Sequence, residues 1–356
     1  MAGPVETTDP LGPEAVERVD GSGQLHDILD MPEHLRDALW RVSSANMVGW
    51  DSPGGLVVAG MGGSAIGGEL ARVCLGDQAS RPILSARSYG LPPWTAPETT
   101  VLCASYSGDT EETLAAFAAA GFLGARRVVV TTGGELAEEA RREGVPVIPV
   151  PGGFQPRSAV GYMTVAALEV AALCGAGPRI ASDIDVTAAH LDELCARWGP
   201  DAAPDNEAKA LAHALHGSVP VIAGAGATSP VAYRWKTQLN ENAKLPAFAG
   251  DLPEVDHNEI VGWQGAPSLG RFSAVFLDDA DNHPRIGRRI ELTSELIADH
   301  AHTVRRVLSR GQSAVERVMS LVLLGDLVSL YLAVLQGIDP TPVPVIDTLK
   351  ARLADR

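Results

Sequence analysis

Two short stretches concentrate ligand-binding chemistry. From Gly60, "GMGGSAIGGE" sets glycines and Ser64 directly after an apolar run. From Ser105, "SYSGDTEET" follows the apolar run "TTVLCA" and precedes "LAAFAAAGF", and no Lys or Arg lies between Arg87 and Arg126. A strand that becomes a helix at such a turn leaves its first backbone N–H groups unpaired. Those amides, the hydroxyls of Ser105, Ser107 and Thr110, and the helix dipole can together hold a phosphate without any lysine. The first turn, with Gly63 and Ser64, can itself form a phosphate or sugar site. Each turn also has a plainer reading. Ser107 or Asp109 can simply cap the helix, and the first turn can be a structural glycine turn. A dinucleotide fingerprint is a third reading of Gly60, Gly62 and Ala65. It requires an acid about 20 residues on, at the end of the second strand. The sequence there is "PILSARSYG", with Ser85 and Arg87 instead.

Four further residues have reactive side chains in suggestive places. Glu241, in "QLNENAK", is a carboxylate near a helix end, a residue type able to move a proton off carbon. By sequence alone it reads first as an ordinary surface acid near a helix end. His257, in "EVDHNEI", is a loop histidine of the kind usually solvated. Arg157, in "FQPRSAV", stands at a helix start, where a cation opposes the dipole. That placement points to a ligand or partner charge. Lys350, ending "VIDTLK", reads as a solvated helix lysine.

The elements that must position these residues follow from hydrophobic periodicity. "LHDILDMPEHLRDALWRV" has helical apolar spacing. Five short apolar runs come next: "GLVVAG", "RPILSA", "TTVLCA", "RRVVVTT" and "VPVIPV". Helix-like stretches follow the first, third, fourth and fifth, and "PRSAVGYMTVAALEVAAL" closes the unit. Continuous apolar strands alternating with helices imply a parallel sheet covered on both faces. In an open sheet ordered 2-1-3, the turns after strands one and three face one crevice at the switch point. The polar segment from Gly177 to Ala210 is broken by prolines and suggests a boundary near residue 200. The pattern then resumes with strands "VPVIAGAG", "SAVFLDD" and "HTVRRVLS" and with helices, the longest being "SAVERVMSLVLLGDLVSLYLAVLQG". Residues 1–24 read as a loose arm, 25–200 as the first unit and 201–356 as the second.

Composition narrows the function classes. The 356 residues carry a net charge of −16 with no basic block, which argues against a nucleic-acid surface. A hydrophobic content of 46% is ample for real cores. The acidic start is not a secretory signal. The most apolar helix is interrupted by Asp326, so no membrane span is expected, and a cytoplasmic location is. The four cysteines are widely spaced, which suits neither a disulfide framework nor a zinc site.

The motifs also carry a resemblance. "GMGGSAIGGE" followed by "SYSGDTEET" is similar to the sugar isomerase (SIS) domain. "PRSAVGY", "NENAKLPAF", "VDHNEIVGW" and "VIDTLK" extend the likeness, in order, to the bifunctional phosphoglucose/phosphomannose isomerase family from about residue 25 to the C-terminus. The resemblance implies two SIS-type, doubly wound parallel-sheet (flavodoxin-like) α/β subdomains. It implies a sugar phosphate as substrate and an aldose–ketose isomerase with no metal and no organic cofactor. It also implies a homodimer with the active site near the subunit interface. It makes Glu241 the base that moves a proton between C2 and C1, and Arg157 the cation that steadies the enediolate. It gives His257, reaching across the dimer, and Lys350 to ring opening. One departure bears on substrate: members that act on mannose 6-phosphate carry a Thr several residues before this Lys, where this chain has Val343. An isomerase for another phosphosugar and a non-catalytic phosphosugar sensor are the competing readings. Sensors of this kind often carry a helix-turn-helix, and no basic recognition helix is present.

Overall fold

The computed structural model describes residues 9–354. The first sheet contains β1 (Leu56–Gly60), β2 (Ile83–Ala86), β3 (Thr100–Ala104), β4 (Arg126–Thr131) and β5 (Val147–Pro149). Its order is β2-β1-β3-β4-β5 and every pairing is parallel. Strands β1 and β3 are buried at every position, so helices must cover both faces. The second sheet contains β6 (Val219–Gly224), β7 (Phe248–Asp251), β8 (Phe272–Asp278) and β9 (Thr303–Leu308). Its order is β7-β6-β8-β9, again all parallel. Both sheets are therefore doubly wound with their first strand inside, and the expected fold class holds.

The largest core lies between the sheets, and each sheet also has a smaller apolar cluster of its own. One continuous cluster of buried apolar side chains runs from Leu11 to Val334. At its centre is the helix Ala314–Gln336, buried along almost its whole length. Ser313 and Glu316 cap its start reciprocally, and Gly337 ends it in the left-handed conformation. This helix is long and apolar enough to cross a membrane, but the rest of the chain buries 94% of its apolar window. Asp326, the charge in its middle, pairs with Arg234 at 2.6 Å, and both side chains are almost completely buried.

Three segments differ from the sequence expectation. Residues 9–24 are not a loose arm. Pro13–Val19 is helical, Leu11, Ala15 and Val16 are buried, and the Asp9 carboxylate meets the fully buried Lys209 ammonium at 2.7 Å. Residues 1–8 lie outside the described residues. The polar segment before residue 200 holds the helix Ala181–Trp198, whose Ile184, Ala188, Leu191, Leu194 and Trp198 face inward at helical spacing. Strand β7 escapes an apolar-run reading because it is an edge strand, and none of its four residues is buried. Its addition beside β6 gives the second sheet the same switch-point arrangement as the first.

Candidate functional site

The turns after β1 and β3 stand side by side, because β1 and β3 are hydrogen-bonded neighbours with Gly60 opposite Ala104. Gly62 opens the first turn at φ +51°, a conformation costly for any side chain. The helices that follow, Gly62–Leu75 and Glu111–Phe122, both start without a side-chain cap among the described residues. The capping reading of the second turn therefore fails. Asp109 is turned away and accepts from Glu135 N of the neighbouring helix at 2.9 Å. Ser107 Oγ accepts only from Asp109 N within its own turn, at 3.2 Å, and remains exposed.

Hydroxyls organise this corner. Ser105 Oγ lies 2.8 Å from Thr110 Oγ1 and accepts from Gly108 N at 3.0 Å, so it braces the turn from beneath. Ser64 Oγ accepts from Tyr106 N at 3.2 Å and locks the two turns together. Gly63 has no room for a side chain: a Cβ there would come within 2.9 Å of Pro156 O and 3.1 Å of Arg157 Cα. The absence of a side chain at Gly63 thus lets the first turn rest directly on the segment that carries Arg157.

Arg157 is 3% exposed. Its Nε donates to Asn242 Oδ1 at 2.7 Å, and its Nη2 donates to the carbonyls of Pro340 and Thr341 at 2.9 and 3.0 Å. Its Nη1 faces Glu241 Oε2 at 3.5 Å. Burial pulls the guanidinium below its ordinary value while Glu241 pulls it back up, and a guanidinium so placed stays charged. Glu241 is the last residue of the helix Ser229–Glu241 and lines a cleft of about 630 Å³ with Asn240, Lys244 and Val343. Lys244 donates to the carbonyls of Glu241 and Pro340. Burial, and then the charge of Arg157, lower its affinity for a proton.

Gly63, Ser64, Ser105, Thr110, Arg157 and Glu241 thus form one connected set, with Ser107 at its outer rim. His257 and Lys350 do not join it within the chain. His257 ends the turn Glu254–His257 and is exposed. Lys350 is exposed on the helix Pro344–Ala354. That helix also exposes Val345, Ile346, Leu349 and Leu353. Asn242, Lys244 and the Pro340 carbonyl belong to the set but were not singled out in the sequence. The sequence signal for the first two is their place in "NENAK", one and three residues after the acid. No cluster of three or more His, Cys, Asp or Glu among the described residues is disposed to hold a metal ion.

Comparison with known proteins places this geometry in a family. The bacterial phospho-glucose isomerase C-terminal SIS domain matches residues 204–353. The bifunctional phosphoglucose/phosphomannose isomerase of Caldicellulosiruptor bescii is 40% identical, covering 92% of this chain and 98% of that protein. That of Aquifex aeolicus is 35% identical, covering 84% and 90%. A hypothetical protein from Thermus thermophilus shares the fold at a TM-score of 0.72 and 18% identity, over 96% of this chain and 94% of the other. With relatives of that name 40% and 35% identical to it over most of its length, the chain belongs to the bifunctional phosphoglucose/phosphomannose isomerase family.

Proposed function

We propose that the chain interconverts glucose 6-phosphate and mannose 6-phosphate with fructose 6-phosphate through an enediolate, without a metal. The observation that carries this reading is the connection between two helix starts without side-chain caps among the described residues and the buried Arg157 facing the half-buried Glu241, made through Ser64 and Gly63. The two helix starts offer amides and the hydroxyls of Ser105, Ser107 and Thr110 to a phosphate dianion. Gly63 and Ser64 lie toward the sugar. The Glu241 carboxylate takes the C2 proton of the open-chain aldose, and the electron pair left behind moves toward O1. The fixed positive charge of Arg157 stabilises the negative charge that develops there. The O2 proton then passes to O1, and as the C2–O2 carbonyl forms Glu241 returns its proton to C1, giving the ketose. His257 and Lys350 assist ring opening. Both lie outside the single-chain cluster, so the proposal includes a homodimer in which they reach a site. The division at residue 200 belongs to the same reading, with the grip in the first unit and the base in the second.

The test is solvent-deuterium incorporation followed by NMR, with chelated protein and each aldose phosphate in turn. Label at C2 together with fructose 6-phosphate formation supports metal-free enediol chemistry. No label in either sugar sinks it and leaves a sensor or an isomerase for another phosphosugar.

A further inference from the structure

The guanidinium of Arg157 has five N–H groups, and the fold treats them unequally. The Nε group and both Nη2 groups are committed at 2.7 to 3.0 Å to Asn242 and to the carbonyls of Pro340 and Thr341. Nη1 has only loose partners, Gln155 Oε1 at 3.4 Å and Glu241 Oε2 at 3.5 Å. It is the edge left to meet a developing charge. Two of the three committed contacts are to backbone carbonyls. The third is Asn242, a fully buried side chain on the residue next to Glu241.

The amide of Asn242 can point only one way. Ser329 Oγ donates to the carbonyl of Asp326 at 2.7 Å, so toward Asn242 it can only accept, and it does so from Nδ2 at 2.9 Å. At the other end, an arginine can only donate. Both neighbours therefore fix the same orientation, with Oδ1 on Arg157. The backbone of Arg157 is held from the same two helices, since Arg234 donates to its carbonyl at 3.0 Å while clamped by Asp326. Acid and tether sit on adjacent residues, so one peptide link sets the spacing between Glu241 and the cation.

We propose that Asn242, oriented by Ser329, is a positioning residue that holds the Arg157 guanidinium with Nη1 toward Glu241 and the reacting carbons. The proposal rests on the reading of Arg157 as the cation that steadies the enediolate. It predicts a loss in kcat with little change in KM, because the phosphate grip lies elsewhere.

The experiment measures kcat and KM for fructose 6-phosphate, with melting temperatures, for the full chain. Asn242→Ala is expected to lower kcat at least about tenfold with KM within about twofold. Asn242→Asp keeps an acceptor for Nε and is expected to recover most of that loss. In an Arg157→Ala background, Asn242→Ala is expected to cost nothing further, because residues acting through one another are not additive. A normal kcat in Asn242→Ala overturns the proposal, as does an equal fractional loss in the Arg157→Ala background, which is what general loosening of the fold would give. If Asn242→Ala does not fold, Asn242→Leu, which keeps the volume and removes the acceptor, replaces it: a kcat loss confined to the background with Arg157 supports the proposal, and an unchanged kcat overturns it. A fully active Arg157→Ala would remove the underlying reading whatever Asn242 does.

Discussion

The two sheets build the same crevice and use it differently. In each, the first strand lies inside and is followed two residues on by a glycine held in the left-handed region, Gly62 at φ +51° and Gly226 at φ +55°. In each, the third strand ends beside that turn. After β3 come Ser105, Ser107 and Thr110, above helix starts that no side chain among the described residues caps. β8 ends in Asp278, and Asp279 and Asp281 follow it. These acids are already engaged: Asp278 with Arg306 at 2.6 Å, Asp279 with Arg317 at 3.1 Å, and Asp281 also with Arg317. The second crevice, of about 770 Å³, is lined by Asp77, Asp279 and Asp281 together with Arg72 and Arg317, so its cations are matched by carboxylates. The backbone places a cradle at every switch point, and the side chains decide whether it accepts a dianion. On the proposed reading the second unit contributes through the far end of the helix Ser229–Glu241, which follows β6.

This division of labour can be broken most sharply at the acid. Glu241→Gln should lower kcat by about 10²- to 10⁴-fold, the usual contribution of a positioned general base. Binding of fructose 6-phosphate, measured by calorimetry, should persist because the grip lies in the other unit. Loss of binding together with turnover would show that the two halves are not separable in this way. The second crevice offers the converse test. Arg317→Leu leaves Asp279 buried without its cation, a change that costs about 3–5 kcal/mol of stability. Denaturant unfolding should show that loss, while KM for fructose 6-phosphate stays put. A raised KM would mean the second crevice takes part in binding after all. A smaller effect belongs to the first crevice. Thr110→Val removes one hydroxyl from the grip, and a hydrogen bond to a charged group is worth about 1.5–3 kcal/mol. KM should therefore rise roughly 10- to 100-fold with kcat little changed. An unchanged KM would confine Thr110 to bracing Ser105.

The sequence made the first crevice legible and the second unit's acid much less so, for a physical reason. Strands β1 and β3 are continuous apolar runs, and their glycine and hydroxyl turns are local in sequence. Their adjacency follows from a strand order that parallel sheets commonly adopt. Edge strand β7 carries no such run, and the helix Ala181–Trp198 hides its apolar face among acids at helical spacing. The set around Glu241 is legible only through kinship or coordinates. Arg157, Asn242, Ser329 and Pro340 are far apart in the chain and meet only when three helices pack. No local pattern announces that an asparagine beside a glutamate tethers an arginine 85 residues away.

The finest test of the contrast between grip and chemistry is at Val343. It lines the cleft with Glu241, where the resemblance places a Thr in members that act on mannose 6-phosphate. Turning glucose chemistry into mannose chemistry requires the enediol to rotate about C2–C3 before the proton returns. A hydroxyl over that bond can hold the rotated form, whereas a methyl can only exclude water. Valine and threonine have nearly the same shape, so Val343→Thr changes the hydroxyl and little else. One neutral hydrogen bond is worth about 0.5–1.5 kcal/mol. The ratio of kcat/KM for mannose 6-phosphate to that for glucose 6-phosphate should therefore rise about two- to tenfold, through kcat. The chain also has a hydroxyl two residues earlier. Thr341 Oγ1 is buried without a hydrogen-bond partner among the described residues, and the Thr341 carbonyl already holds Arg157. Thr341→Val is the paired measurement. If it lowers the ratio while Val343→Thr leaves it unchanged, the epimer preference is set from position 341, and Val343 is only wall. If Val343→Thr raises the ratio and Thr341→Val does not lower it, the cleft reads the epimer at position 343, apart from the crevice that reads the phosphate.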